Sequence, residues 1–349
     1  MICALDPKIK IGLIGCGGMA RNHLRRMLDG FQNTDILAVS EPSDEAYSET
    51  AKLFRDKGRK APVNVKNLSD FLEHYASQLD AVMIITPHAL HYTQAVACLR
   101  AGLDVFMEKP MVMNAAEAKA LIKTRDETKR LVVVAFQGSL SHHVRKAVGL
   151  IKAGDIGRVS NISGNIWQNW MDMGGWRQQP DVSGGGFLFD SGAHMLNTIS
   201  DLATEEFETV WAVISNEGSP VDITGMVMGR LVSGTLVTIN ACGNTVPSCA
   251  SDIRVYGTHG ILRTGAWGER LHVLRQQPKD TKDLEFGRDA GWEKIQVPES
   301  KGVWQEFLDV KFGYVENPSP PELGLRMARL WDAIKESSDN SGRPVHVLK

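Results

Sequence analysis

A glycine-rich turn near the N-terminus constrains the fold of this chain more than any other feature. The turn stands between an apolar strand pattern at Ile9–Ile14 and a helix pattern at Arg21–Asp29. Its small residues, Gly15, Gly17 and Ala20, have the spacing G-x-G-x-x-A. The first glycine permits a tight turn, the second lets a pyrophosphate approach the backbone, and the third small residue lets the helix pack closely on the strand. This arrangement is typical of a dinucleotide-binding fold, in which the helix N-terminus faces the phosphates.

The second strand pattern supplies an acidic residue at the expected distance. Ile36–Val39 is followed by Ser40 and Glu41, and Glu41 lies 21 residues after Ala20. An acid about 20 residues after the turn hydrogen-bonds the adenosine ribose hydroxyls. The carboxylate would repel a 2′-phosphate and no arginine follows within a few positions, so the pattern predicts NAD rather than NADP. The alternative is a purely structural glycine turn in another kind of α/β protein.

Composition excludes several classes of protein. The 349 residues carry a net charge of −2 and no basic run, which argues against nucleic-acid binding. No apolar run reaches about 18 residues, and the N-terminus lacks the pattern of a signal peptide, so we expect no membrane span or leader. The five cysteines are scattered and odd in number, which favours reduced thiols in the cytoplasm.

The order of elements changes near the middle of the chain. Strand and helix patterns alternate through the strand Leu131–Phe136, which predicts a doubly wound parallel sheet. Strand patterns then follow one another without intervening helices, which predicts a large open and mostly antiparallel sheet in an α+β domain. We therefore expect a Rossmann domain at residues 1–137 and a second domain at residues 138–349. The last helix, Pro321–Ser337, is a candidate to pack back on the first domain.

A charged pair follows one of the predicted parallel strands. Glu108, Lys109 and Pro110 come directly after the strand Leu103–Met107. Ligands of open α/β sheets bind outside the carboxyl ends of the strands, so these residues are placed to meet a substrate. The alternative is a surface turn with a solvated lysine.

An acid and a histidine follow three glycines later in the chain. Asp190 and His194 are four residues apart, and on a helix that begins near Phe187–Asp190 they would share one face. Because an imidazole titrates near working pH, a histidine near a carboxylate suits general acid–base catalysis. The alternatives are an exposed helix start and a metal pair, and we reject a metal because no third ligand has suitable spacing.

The strand Asp80–Ile85 ends at a third polar segment. Thr86 is a candidate helix cap and Pro87 suits a first helical turn, so helix initiation and cofactor contact by this segment and His91 both remain open. Three further histidines have no partner in the pattern, and we expect them at the surface: His88, His142 and His143.

Taken together and in this order, the motifs resemble the glucose–fructose oxidoreductase, inositol dehydrogenase and rhizopine catabolism (Gfo/Idh/MocA) family. The resemblance extends over essentially the whole chain and is carried mainly by Glu108–Pro110 and by the segment 184–194. It implies a Rossmann domain, a C-terminal α+β domain, and a homodimer or homotetramer formed through the C-terminal sheet. It also implies hydride transfer between a nicotinamide and a secondary hydroxyl of a sugar, inositol or related polyol.

The resemblance also implies roles for individual residues. Lys109 would hydrogen-bond the reacting hydroxyl, His194 would accept its proton as the hydride leaves for C4 of the nicotinamide, and Asp190 would bind substrate and hold the tautomer of His194. The bond before Pro110 is expected to be cis. The implied cofactor-binding residues are Gly15, Gly17, Gly18, Met19, Ala20, Glu41, Thr86, Pro87, His91, Glu108, Lys109 and Gln137. The implied substrate-binding residues are Lys109, Trp176, Arg177, Asp190, His194 and Asn197.

The sequence departs from the family pattern near the expected pocket. Asn197 stands where many members have an aspartate, His88 replaces the usual asparagine, and an arginine-containing segment is replaced by the one starting at Gln137. The tryptophans Trp167, Trp170 and Trp176 are expected at the pocket rim, although packing in the core is as common for tryptophan.

Two other functions remain open. Some relatives keep the cofactor bound and use transient oxidation to hydrolyse a glycoside, and a dinucleotide-binding sensor would need no catalysis. Net production of NADH distinguishes the dehydrogenase from both.

Overall fold

A computed structural model describes residues 7–246, 249–275 and 291–348. The chain forms two compact units, residues 1–135 with 301–324 and residues 136–300 with 325–349. Cys3 lies outside the described residues, and the described cysteines are free thiols.

Six described strands form a parallel sheet in the first unit, in the order β3-β2-β1-β4-β5-β6. This is the strand order of the dinucleotide-binding fold, so the predicted doubly wound sheet is confirmed. The strands are β1 (Ile9–Ile14), β2 (Thr34–Ser40), β3 (Val63–Asn64), β4 (Ala81–Ile84), β5 (Asp104–Met107) and β6 (Val132–Val134). The helices between them are α1 (Gly18–Gly30), α2 (Asp44–Asp56), α3 (Leu68–Tyr75), α4 (His88–Arg100) and α5 (Ala115–Thr128).

Local sequence explains where several of these helices begin. The Ser43 side chain accepts a hydrogen bond from the Ala46 amide at the start of α2. At the start of α5, Asn114 accepts from the Glu117 amide. Such caps form because short polar side chains satisfy amides that lack partners in the first helical turn.

The second unit begins with helices α6 (Gln137–Leu140) and α7 (His142–Lys152). Its other elements up to residue 300 are β7 (Val159–Gln168), α8 (Pro180–Ser183), α9 (Gly192–Ala203), β8 (Phe207–Ser215), β9 (Thr224–Leu231), β10 (Leu236–Cys242), β11 (Cys249–Gly257), β12 (Gly260–Thr264), β13 (Leu271–Arg275) and β14 (Glu293–Lys294). The chain continues through α10 (Val303–Lys311), which belongs to the first unit, and α11 (Pro321–Asp339) to β15 (Val345–His346).

Nine described strands form the sheet of the second unit, in the order β14-β13-β12-β11-β7-β10-β9-β8-β15. Neighbouring strands are antiparallel except β7 and β10, which are parallel. The predicted large, mostly antiparallel sheet is therefore confirmed.

The two faces of this sheet differ in composition and cover. On the covered face, Met195 and Ile199 of α9 lie so close to Gly164 of β7 that a Cβ there would be 2.6 Å and 2.7 Å from their side chains. Alternate residues of β9, such as Val227, are buried, whereas their neighbours point the other way and are exposed. Large apolar side chains on the open face are Val213, Met226, Met228 and Leu236.

Candidate active site

In the glycine turn of the first unit, two positions are glycine for different physical reasons. Gly15 has φ +91°, and a Cβ there would lie 2.4 Å from the Ile85 carbonyl oxygen, so the fold itself requires glycine. Gly17 is the N-cap residue of α1, and a Cβ there would meet no described atom within 4 Å. No described side chain caps α1. The open space and the uncapped amides fit the pyrophosphate of a dinucleotide.

The remaining residues of the turn frame this open space. The first helical positions are Gly18, which is as open as Gly17, and Met19, which is exposed. Ala20 is fully buried, as close packing of the helix on the strand requires.

Glu41 lies at the end of β2 and is bound to the glycine turn. One carboxylate oxygen accepts from the Cys16 amide at 2.7 Å, and the other accepts from the Ser43 amide at 2.8 Å. Each oxygen retains a second lone pair for a ribose hydroxyl. Burial raises the pKa of the Cys16 thiol to about 12, so this cysteine stays protonated and unreactive.

The segment after β4 differs in detail from its predicted role. Thr86 does not cap α4; its hydroxyl donates to the Gln94 side chain at 2.6 Å, and Pro87 is the N-cap residue. His91 is buried, and its ring nitrogens lie 2.9 Å from the Thr86 carbonyl oxygen and 2.8 Å from that of Pro110. Burial lowers the pKa of His91. His91 thus links the segments that follow β4 and β5, and its contact with a cofactor stays a prediction.

The expectation of three surface histidines is wrong for one of them. His88 is buried because its ring packs on that of His91, with centroids 5.8 Å apart. His142 and His143 are partly exposed.

Glu108 and Lys109 follow β5 as predicted, and the bond between Lys109 and Pro110 is cis. One oxygen of the buried Glu108 carboxylate lies 2.7 Å from Nε2 of His23 in α1, and the other accepts from the Lys109 amide at 3.1 Å. His23 was not identified from the sequence, although a polar residue on the buried face of α1 was a usable signal. Glu108 therefore orients the backbone of Lys109.

In the second unit, the helix that carries His194 begins later than predicted. α9 starts at Gly192, so Asp190 lies in the turn before the helix. The prediction that Asp190 and His194 share one helical face is therefore wrong. The turn is held by Asp222, whose carboxylate accepts from the Gly186 amide and, at 2.8 Å, from the Leu188 amide. These two hydrogen bonds fix the backbone of the turn that precedes Asp190.

Asp222 was not identified from the sequence. The residues that it binds, Gly186 and Leu188, precede it by more than 30 positions, and no local sequence motif indicates the contact. Burial raises the pKa of Asp222, and the amides of Gly186 and Leu188 act in the opposite direction.

The Asp190 carboxylate accepts hydrogen bonds from side chains of the loop that precedes it. One of its oxygens accepts from Trp170 Nε1 at 3.0 Å and from Arg177 Nε at 2.8 Å. The Arg177 guanidinium lies 4.5 Å from the centre of the Trp176 ring. Trp170 is fully buried, so packing in the core describes it better than the pocket rim.

His194 lies in the first turn of α9 and is buried. Its ring packs against that of Trp267, with centroids 5.8 Å apart and planes tilted by 52°. Trp267 lies between β12 and β13, and it was not identified from the sequence.

Asn197 is buried within a polar network of the second unit. Its amide nitrogen donates to the Ser139 hydroxyl at 2.7 Å and to the Asp201 carboxylate at 3.3 Å, while its oxygen accepts from Arg326 at 3.0 Å. An aspartate here would place a second carboxylate beside Asp201, which explains the asparagine. Its substrate contact stays a prediction.

Residues 7–246, 249–275 and 291–348 contain neither a membrane-spanning helix nor a metal-binding cluster. No helix in these ranges combines the length and hydropathy needed to cross a bilayer. The same ranges hold no cluster of three histidine, cysteine or acidic side chains able to bind a metal ion.

Comparison with known families places the chain. A model described as an oxidoreductase family with an NAD-binding Rossmann fold matches residues 9–136, and a model of the GFO/IDH/MocA C-terminal domain matches residues 144–263. The chain belongs to the Gfo/Idh/MocA family. The resemblance inferred from the motifs is therefore confirmed. The prediction of an NAD-binding oxidoreductase is confirmed with it.

Individual Gfo/Idh/MocA proteins are similar over different parts of the chain. Inositol 2-dehydrogenase of Rhodococcus erythropolis is 29% identical over 154 residues, which are 44% of this chain and 42% of the relative. Levoglucosan dehydrogenase of Pseudarthrobacter phenanthrenivorans is 28% identical over 341 residues, covering 85% of this chain and 83% of the relative. A structure of levoglucosan dehydrogenase with NADH and levoglucosan has a TM-score of 0.82 at 22% identity, covering 98% of this chain and all of the other.

Proposed function

We propose that this Gfo/Idh/MocA protein is an NAD-dependent dehydrogenase that oxidises a secondary hydroxyl of a sugar, inositol or related polyol. The observation that carries the proposal is the polar group at the start of α9. There, Arg177 and Trp170 hold one oxygen of Asp190, and His194 follows in the first helical turn. The names of the relatives support the substrate class, since they include inositol and levoglucosan dehydrogenases.

NAD, when bound, supplies the nicotinamide that accepts the hydride. The turn Gly15–Ala20 would hold its pyrophosphate, and Glu41 would accept from the adenosine ribose hydroxyls. The buried carboxylate of Glu41 supports NAD over NADP, because a 2′-phosphate would meet like charge. The remaining candidate cofactor contacts are Thr86, Pro87, His91, Glu108, Lys109 and Gln137.

The reacting groups have separate roles in this proposal. His194 accepts the proton of the hydroxyl, and Lys109 donates a hydrogen bond to the same oxygen. Asp190 binds substrate and fixes the tautomer of His194, while Arg177 balances its charge. Trp176, Arg177 and Asn197 remain candidate substrate contacts.

The self-association and location of the protein are part of the same proposal. We propose a homodimer or homotetramer formed through the open face of the nine-stranded sheet. The exposed Met226 and Met228 support it, since clustered apolar surface of this kind commonly marks an interface. We also propose a cytoplasmic location, which the scattered free cysteines support.

An assay of NADH formation tests the proposed function. Purified protein is mixed with NAD, or with NADP, and a panel of polyols, sugars and sugar acids. We expect turnover with NAD, and we expect His194→Ala to lower it by at least about a hundredfold, the scale of lost general base catalysis. NAD affinity, measured by calorimetry, should be unchanged. The matched control is His346→Ala, which removes an exposed histidine of β15.

Other results would point elsewhere. Full turnover in His194→Ala would contradict its role as base. Glycoside cleavage without net NADH would indicate a hydrolase that uses transient oxidation, and NAD binding without any turnover would favour a sensor.

A further inference from the structure

Trp267 is an aromatic residue beside the candidate base that the proposed function does not use. Its ring centre lies 5.8 Å from that of His194, and its side chain is partly exposed although His194 is buried. A large apolar surface that reaches solvent next to a reacting group is available for contact with substrate.

The connection between β12 and β13 holds Trp267 in place. The Ala266 amide donates to the Ser251 hydroxyl at 2.8 Å, and the Ala266 carbonyl accepts from the Thr198 hydroxyl at 2.7 Å. Thr198 lies one turn beyond His194 on α9. The residue before Trp267 is therefore attached directly to the helix that carries the base.

The residue after Trp267 is held as firmly. The Gly268 carbonyl accepts from the Ser141 hydroxyl at 2.7 Å. Gly268 has φ +69°, and a Cβ there would lie 2.3 Å from the same hydroxyl, so α7 packs tightly on this turn. With both neighbours fixed, the backbone that carries the indole is held in place, and its ring packs on His194, so less entropy is lost when a ligand packs on it.

The other tryptophans near the site are less available. Trp170 is fully buried and its N–H is bound to Asp190. One face of Trp176 is covered by the Arg177 guanidinium. Trp267 thus combines exposure with a position against His194.

We propose that Trp267 binds the apolar C–H face of a cyclic substrate while the reacting hydroxyl contacts His194. The inference rests on the proposed function and narrows its substrate class to rings. A hydroxyl that gives its proton to His194 must lie about 2.6–3.2 Å from the imidazole. The substrate ring that bears this hydroxyl then lies beside the imidazole, as the Trp267 indole does. An aromatic face suits the C–H surface of such a ring.

Variants of Trp267 test this contact. The probes are the best cyclic polyol of the panel and glycerol, which has a secondary hydroxyl but no ring. We expect Trp267→Ala to raise KM for the cyclic compound by about tenfold, with kcat changed by less than about threefold, and Trp267→Phe to restore part of the loss. The kinetic constants for glycerol should change by less than about twofold. Calorimetric titration of the cyclic compound into the protein with NADH should show the same loss of affinity.

The controls separate this contact from a structural role. Trp292→Phe changes another partly exposed tryptophan of the second unit and should leave KM unchanged. Equal KM for wild type and Trp267→Ala, or a loss confined to kcat and its pH profile, would overturn the contact and leave the dehydrogenase proposal standing. Wild-type protein inactive on every compound would overturn both.

Discussion

Gly15 and Gly17 belong to one motif but are glycines for different reasons. Gly15 adopts a left-handed conformation, and its space is closed by the Ile85 carbonyl. At Gly17 the described protein leaves the space of a side chain empty. The fold therefore does not restrict the side chain at position 17, whereas a bound pyrophosphate would. The two positions should respond differently to substitution.

Enlarging Gly17 should therefore weaken cofactor binding without weakening the fold. We expect Gly17→Val to cost about 1–3 kcal/mol of NAD binding through overpacking, which raises Kd by about 5-fold to 140-fold. Calorimetry measures Kd, and thermal unfolding should show Tm close to wild type. Gly30→Ala, at the far end of α1 and equally open, is the control. A Gly17→Val protein that binds NAD normally would contradict the assigned pyrophosphate site.

At the scale of elements, the segment before α9 depends on a residue from another connection. Asp222 binds the Gly186 and Leu188 amides, and its own carbonyl accepts from the Phe187 amide at 2.8 Å. The turn presents Asp190 to Trp170 and Arg177, so the geometry around Asp190 depends on Asp222.

Replacing Asp222 should disturb both stability and turnover. In Asp222→Asn, one of the two carboxylate oxygens that accept from backbone amides becomes an NH2 group, which is a donor facing a backbone N–H. We therefore expect a loss of about 1–3 kcal/mol in the free energy of unfolding. Turnover should fall because Asp190 moves. Denaturant unfolding and the NADH assay measure the two effects, with the exposed Asp181→Asn as control. If Asp222→Asn retained wild-type stability and turnover, the turn would not depend on this carboxylate.

At the scale of the whole molecule, the open sheet face of the second unit calls for a partner. Met226 and Met228 are 65% and 57% exposed on β9, and Val213 is 62% exposed on β8 directly opposite Met226. Side chains of this kind are costly to leave in water over a continuous surface, so a second copy of the chain is a natural cover.

A charge placed on this face should therefore separate the copies. We expect the wild type to sediment as a dimer or tetramer at micromolar concentration and Met228→Glu to shift toward the monomer, because a carboxylate would be buried without a partner. Analytical ultracentrifugation measures the change. Val315→Glu, at an exposed apolar position of the first unit, should behave as wild type. A monomeric wild type would contradict the proposed assembly.

Much of the fold was predictable because its signals are local. The alternation of strands and helices, the caps at Ser43 and Asn114, and the glycine turn each depend on residues a few positions apart. Glu108 and Lys109 follow their strand for the same reason. The motifs also identified the family, since they occur together in this chain and in one order.

The tertiary structure decided which distant residues support the site. His23 and Glu108 are 85 positions apart, and Trp267 meets His194 across 73 positions. No periodicity encodes such pairs, because they depend on how strands pair and on which connection packs against which helix. The contacts of Asp222 with the Gly186 and Leu188 amides have the same cause, since they join residues more than 30 positions apart. Sequence alone therefore determined the architecture and the family, whereas packing decided which distant side chains contact Glu108, Asp190 and His194.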